Sequence, residues 1–324
     1  MVRIKQKYSG VRSINSSLHG LTCTLIFLCL FLSSCADYFK NDYEDNSPTS
    51  GKLKVYYDEG LAPHVKNQRL TFEALYPDVS LEIFETTENE AIHALYVDSC
   101  ESIVITRKLN EKELSAFQSK QFNPAFSAVA KTGVALVTNQ STNLNFLSYQ
   151  DLIRVLTEPY FISDSSGQQQ KLHVVFDNKN SSVLHYLADS VLRGKSFSAQ
   201  CKALTNTMEA IQYVSEQSNV IGLIDFSWLS DADDLMVKEK KEYLKFLAIN
   251  KMASDTFEFP NQSSFKLGTY PLTRTIYIYR KTGDFTLAKG FESFVAGPKG
   301  QLTFLKQGLL PTRQGERNIE VKLK

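Results

Sequence analysis

The chain is poor in the residues that mark several common chemistries. It has one tryptophan, four methionines and five cysteines in 324 residues, and neither sign of charge is in excess, with 36 lysines and arginines against 35 aspartates and glutamates. Without a basic surplus there is no electrostatic footprint for nucleic acid. No Cys-x-x-Cys pair occurs. The histidines past residue 35 (His64, His93, His173, His185) are scattered with no i, i+4 pair, so no metal site is encoded locally. Gly-x-Ser-x-Gly, His-Glu-x-x-His, the P-loop and Gly-x-Gly-x-x-Gly are all missing, which argues against an enzyme and against a bound cofactor.

What is present begins with a leader. Arg3, Lys5, Lys7 and Arg12 precede the apolar run Leu21–Leu32, and small residues lead to Cys35. This is the charged, apolar, small-residue layout of a secretory signal, and Leu32-Ser33-Ser34-Cys35 resembles the lipobox of bacterial lipoproteins. The alternative, a single membrane anchor, needs about 20 apolar residues and the run is shorter. The expectation is a signal peptide over residues 1–34 with Cys35 as the lipidated first residue of the mature chain. Taking the four basic leader residues from 36 leaves 32 basic and 35 acidic side chains, a net charge of −3. The remaining 290 residues exceed the roughly 100–200 of one ordinary domain, so two are expected. Only Cys100 and Cys201 follow Cys35. A disulfide is open to them outside the cytoplasm, but two free, buried thiols is the reading preferred.

Ala36–Gly51 is rich in Asp, Asn, Ser and Pro and reads, over residues 35–51, as a flexible tether. After it, strands and helices alternate. Lys52–Tyr57 is a strand and Pro63 opens a helix that ends before Pro77. Val79–Ile83 is the next strand, which makes a βαβ unit and hence a parallel sheet. Further strands are expected at Ser102–Thr106, Val134–Thr138, Leu172–Phe176, Val220–Asp225, Phe246–Asn250 and Thr275–Tyr279. Helices are expected from Asn110 (a capping box with Glu113), from Ser148, over about Ser181–Leu192 and over Met208–Glu216. The charge run Lys238–Lys245 reads as a solvated helix face.

The C-terminal stretch is the most specific. Gly268-Thr269-Tyr270-Pro271-Leu272-Thr273-Arg274 enters a strand, a helix is broken at Gly297-Pro298, and Gly308-Leu309-Leu310-Pro311 closes the run. In this order the stretch resembles the end of the phosphate-type periplasmic solute-binding proteins of ABC transporters. Phe72-Glu73-Ala74-Leu75-Tyr76-Pro77-Asp78-Val79 and Val220-Ile221-Gly222-Leu223 resemble segments of the same family. The resemblance covers nearly all of 52–324. It implies an α/β, two-lobed periplasmic-binding-protein-like fold (type II), each lobe a mixed or parallel sheet flanked by helices. Two hinge crossovers are implied, near Thr132–Thr138 and Tyr270–Tyr279. Lobe one is then residues 52–133 plus 275–324, and lobe two residues 134–274.

Oxyanion receptors aim helix N-termini and small hydroxyl residues at their ligand. Asn180-Ser181-Ser182 fall where the family carries a Ser-Gly-Thr after a strand, with plain helix capping as the alternative. Glu101-Ser102-Ile103-Val104-Ile105-Thr106-Arg107 resembles the family segment in which a carboxylate accepts the proton of the oxyanion, Thr106 standing for its Ser and Arg107 matching its Arg. The alternative there is a pair of surface charges flanking a strand. The ligand set implied by the resemblance is thus Gly60, Glu101, Thr106, Arg107, Asn180, Ser181 and Ser182. Two departures weaken it. The first loop is Asp58-Glu59-Gly60-Leu61-Ala62-Pro63, where the family offers hydroxyls, and Phe176 stands where the family has its ligand-pairing Arg.

The function implied is a monomeric lipoprotein on a bacterial membrane, in the periplasm or at the cell surface. It would capture phosphate or a related small oxyanion by hinge closure and pass it to an ABC permease. The alternative is a non-transport binding or interaction lipoprotein that keeps the fold and has lost phosphate binding.

Overall fold

The computed structural model describes residues 46–313 apart from 165 and 282. The expected signal peptide, the Cys35 lipidation site and most of the tether lie outside the described residues. The described residues from Ser47 to Arg313 form one compact unit. Its main elements, in order, are β1 (Gly51–Asp58), α1 (Ala62–Leu75), β2 (Val79–Thr86), α2 (Glu88–Tyr96), β3 (Ser102–Ile105), α3 (Glu111–Ser119), β4 (Ala125–Asn139) and α4 (Tyr149–Thr157). There follow β5 (His173–Phe176), α5 (Ser182–Tyr186), β6 (Cys201–Ala203), α6 (Thr207–Glu216), β7 (Val220–Asp225) and β8 (Leu244–Phe246). The chain closes with β9 (Thr273–Arg280), α7 (Leu287–Ala296), α8 (Pro298–Lys306) and β10 (Leu310–Pro311).

Ten strands make one mixed sheet in the order β2-β1-β3-β9-β4-β7-β5-β6, with β8 and β10 also pairing with β4. The 15-residue β4 runs through the middle of the sheet and pairs with both of its halves. Up to Gly133 it runs antiparallel to β9, and from Val134 onward antiparallel to β7. Only its second half was expected as a strand, because Ala125–Gly133 is mostly small and polar residues, with Phe126 and Val129 its only large apolar ones and no strong period. The helix expected over 181–192 is regular only as α5 and continues in wider π turns over Leu187–Leu192. Phe246–Asn250 splits into two strands, β8 and Ala248–Asn250.

Apolar periodicity explains the layering. Phe72 on α1 is fully buried and meets Phe291 and Phe294 of α7 at ring distances of 5.4 and 5.0 Å. Burying such a ring contributes about 1.5–3 kcal/mol. A smaller cluster under α2 and α3 gathers Ile103, Ile105, Phe117 and Tyr279. Cys100 and Cys201 are free thiols, and burial pushes them up to about 12 and about 11.

Parallel pairing sets the direction of the loops. β1 runs parallel to β2 and β3, so Asp58–Gly60, Glu88 and Thr106 all leave at the carboxyl edge of one lobe. β5 runs parallel to β6 and β7, so Asp177–Ser182 and Asp225 leave at the carboxyl edge of the other. In open α/β sheets such edges are where ligands are held.

Candidate functional site

Arg274, at the start of β9, is the centre of the junction between these edges. Its side chain is nearly fully buried. Nη2 donates to Asp225 Oδ2, and Nη1 donates to Ser182 Oγ at 2.9 Å and Thr106 Oγ1 at 3.1 Å. Ser182 donates onward to Asp58 Oδ2. Asp225 Oδ1 also accepts from Thr132 Oγ1 at 2.7 Å and from the Ser227 N–H at 2.8 Å. Loops after β1, β3, β5 and β7 thus converge on one guanidinium.

A second carboxylate serves Thr106. Glu88 Oε1 accepts from the Thr106 N–H at 2.7 Å and its hydroxyl at 2.9 Å, and Oε2 accepts from Arg107 Nε at 3.1 Å. The other end of the Arg107 fork donates to both oxygens of Glu113, each at 2.8 Å. These bonds hold Arg107 more firmly charged, with the Glu113 pair as the main cause.

Glu59 spans the junction. Its Oε1 accepts from the Thr207 N–H at 2.8 Å, at the start of α6, and its Oε2 from Asn178 Nδ2 at 2.8 Å. A carboxylate at a helix N-terminus is stabilised there by the unpaired amide groups and the helix dipole. The Trp228 indole N–H donates to Glu59 O, and Ser227 Oγ donates to Gly60 O. A Cβ on Gly60 would lie 3.2 Å from Asp225 Cβ, which is why this close approach of the lobes takes a glycine. His64 joins Gln307 Oε1 to Ser230 Oγ, each at 3.1 Å.

The electrostatics are lopsided. Burial, and then the charge of Glu88, push the Asp58 carboxyl well above the usual range, against Arg274 and Ser182. Burial likewise takes Asp177 up to about 7, and drives His64 down to about 4. Burial alone would lower Arg274, but Asp225 and Asp58 outweigh it and hold the guanidinium charged. Two buried atoms here have no hydrogen-bond partner, Arg274 Nε and Asp177 Oδ1.

The expected ligand residues divide. Thr106 and Ser182 reach the centre, Gly60 meets it through its carbonyl, and Arg107 sits half-buried at its edge. Three do not take the expected places. Glu101 precedes β3, at the amino end of the strand, and accepts from the Lys54 N–H on β1. Ser181 caps α5, accepting from the Leu184 N–H, so the capping alternative holds for it. Asn180 is exposed and lines an open groove of about 640 Å³ with Glu59, Glu90, Asn178 and Thr205. Asp58 and Glu59, read from sequence as obstacles to an anion, do point into the junction. Phe176 is core, packed edge-on against Phe197 at 5.4 Å. The buried cation comes instead from Arg274. Glu88, Asp225 and Arg274 were missed, although the motif ending in Arg274 was in view and its position opening a strand was a usable signal.

Among the described residues no group of three His, Cys, Asp or Glu side chains is placed to hold a metal ion, and no helix is long and apolar enough to cross a membrane.

A family model described as a PBP superfamily domain matches residues 44–299. The phosphate-binding protein PstS of Pseudomonas aeruginosa is 23% identical over 289 residues, covering 83% of this chain and 86% of the relative. A Clostridium perfringens chain, described as a phosphate ABC transporter substrate-binding protein and solved with bound phosphate, superposes with a TM-score of 0.66 at 18% identity. It matches over 81% of this chain and all of its own. An ABC-type phosphate transport receptor from Vibrio cholerae gives 0.60 at 15%, again over 81% of this chain and all of its own length.

Proposed function

The chain belongs to the PBP superfamily, and on that premise we propose that it is a solute receptor of the cell envelope, a binding protein and not an enzyme. It is held to a membrane through Cys35 and delivers a small oxyanion to an ABC permease as its lobes, residues 52–133 with 275–324 and residues 134–274, close and open. Phosphate is the first candidate, since it is what the named relatives bind. One observation carries the reading. Hydroxyl, amide and guanidinium donors from loops of both lobes meet at the carboxyl edges, around a buried Arg274 whose Nε has no acceptor. Leaving such a donor unpaired costs more than about 1–3 kcal/mol, so an acceptor is expected to visit it.

A second reading has its own observation. The other donors are already bonded to carboxylates of the chain, Glu88, Asp58 and Asp225. A free anion brought within about 4 Å of any charged one meets roughly 4 kcal/mol of repulsion at an effective dielectric of 20. This favours a lipoprotein that keeps the fold and no longer transports phosphate. Calorimetric titration of the refolded, ligand-stripped protein with phosphate and sulfate decides between them. Binding with a micromolar or tighter Kd, weakened in Ser182→Ala, supports the receptor. A folded protein that gives no heat with either anion supports the second reading and removes the first.

A further inference from the structure

We propose that Glu88 determines the specificity of this cleft, as an internal anion that an incoming oxyanion must displace. The inference rests on reading the Thr106–Arg107 donors as an anion site. The pattern of bonds is that of a bound ligand: two donors from Thr106 on one oxygen and Arg107 Nε on the other, around a carboxylate whose side chain is only 3% exposed.

Two observations show that neither the capping of α2 nor the charge of Arg107 requires Glu88. First, α2 is capped without it. Thr87 Oγ1 accepts from the Glu90 N–H at 3.3 Å and Glu90 Oε2 accepts from the Thr87 N–H at 3.1 Å, a complete capping box around Glu88. Second, Arg107 is neutralised without it, because both Nη groups already pair with Glu113. Asn89 Oδ1 and Lys108 O take further Arg107 bonds, each at 3.2 Å. Glu88 therefore adds a charge to a region already rich in carboxylates, and its own charge is one of the causes holding the Asp58 carboxyl up. The Thr106 hydroxyl, which donates to Glu88, also accepts from Arg274, so Glu88 is one hydroxyl away from the buried guanidinium.

A tethered carboxylate competes at an effective concentration of millimolar or more, whereas a free anion competes at its own. Removing it should raise anion affinity. The full-length chain and its Glu88→Ala variant are titrated with phosphate, and each is melted with and without formate, the fragment nearest to the lost group. The expected result is at least about a ten-fold tighter Kd for phosphate in the variant. A formate-dependent rise in Tm is also expected, seen in the variant and not in the wild type. Equal phosphate affinity in the two proteins overturns the proposal and leaves the oxyanion reading standing. If the wild type is silent and the variant binds, the proposal stands and free phosphate is not the native ligand. If neither binds phosphate, the oxyanion reading fails and formate decides: stabilisation of the variant alone upholds Glu88 as an internal anion, and none overturns it. Should Glu88→Ala not fold, Glu88→Gln keeps the size and the Thr106 bonds while removing the charge, and a phosphate affinity no better than wild type in that variant overturns the proposal.

Discussion

Strand β9 carries two buried arginines, one at each end, and they do different work. Arg280 donates to Glu292 at 2.7 Å, Asp284 at 3.0 Å and the Gly283 carbonyl at 3.1 Å. Glu292 is further held by Ser127 at 2.6 Å and Lys289 at 3.0 Å, and although burial would raise its carboxyl, these partners pull it below the usual range. This cluster lies within one lobe, fastening β4, β9 and α7, with one buried carboxylate between two cations. Arg274 instead sits where both lobes meet, with Asp225, Asp58 and Glu88 around it and its Nε unpaired. The contrast separates a lock from a site. A lock closes its own hydrogen-bond account, whereas a site carries charge and donors that the fold alone does not require.

The sharpest test of this contrast is removal of each guanidinium. Breaking a buried pair by deleting one partner costs about 3–5 kcal/mol because it leaves a buried charge uncompensated. Arg274→Met should lie at the upper end, since it strands Asp225 and removes the cation that opposes the burial of Asp58. Arg280→Met should lie at the lower end, since Glu292 keeps Lys289 and Ser127. Urea unfolding of the two variants measures both, and an Arg280→Met cost equal to or above that of Arg274→Met breaks the comparison.

The next effect is in pH. Asp177 has a native value of about 7 against an ordinary 3.8. The native state therefore keeps a proton that the unfolded chain has released, and stability is greatest below about 4 and falls as pH climbs toward 7. The loss amounts to as much as about 4 kcal/mol. His64 has the opposite slope. Its native value of about 4 against 6.5 means that stability is lost as pH falls through that interval. The difference between wild type and Asp177→Asn isolates the first term. The variant should gain stability relative to wild type as pH rises from 4 to 7, and parallel curves would show that Asp177 is not held protonated.

The smallest effect is expected at Glu101, which the resemblance placed in the ligand set and the structure places at the amino end of β3. Glu101→Gln should change stability by less than about 0.5 kcal/mol and leave any anion affinity unchanged. A loss of affinity there would return Glu101 to the site.

Much of the fold was legible because its signals are local. The Asn110–Glu113 capping box, the Ser148 cap, the run Val220–Asp225 and the break at Gly297-Pro298 each specify an element within a few residues, and each element is present. The first half of β4 was not legible, because Ala125–Gly133 lacks a strong period and becomes a strand only by pairing with β9. The site was legible in part. The hydroxyls of Thr106 and Ser182 were read as converging donors, but their acceptors were not.

The division has a physical reason. The sequence by itself determined where strands and helices run, that they alternate, and that an acidic first loop and Phe176 depart from a phosphate-type pattern. These follow from periodicity, capping and side-chain type. Only the tertiary structure decided which charge faces which. Arg274 and Thr106 are 168 positions apart, and Ser182 and Asp58 are 124 apart. Pairing strength in a buried region depends on distances of a few ångströms at low dielectric. Those distances are set by the register of β1, β3, β5 and β7 at their carboxyl edges and of β9 at its amino end, and no local pattern encodes them.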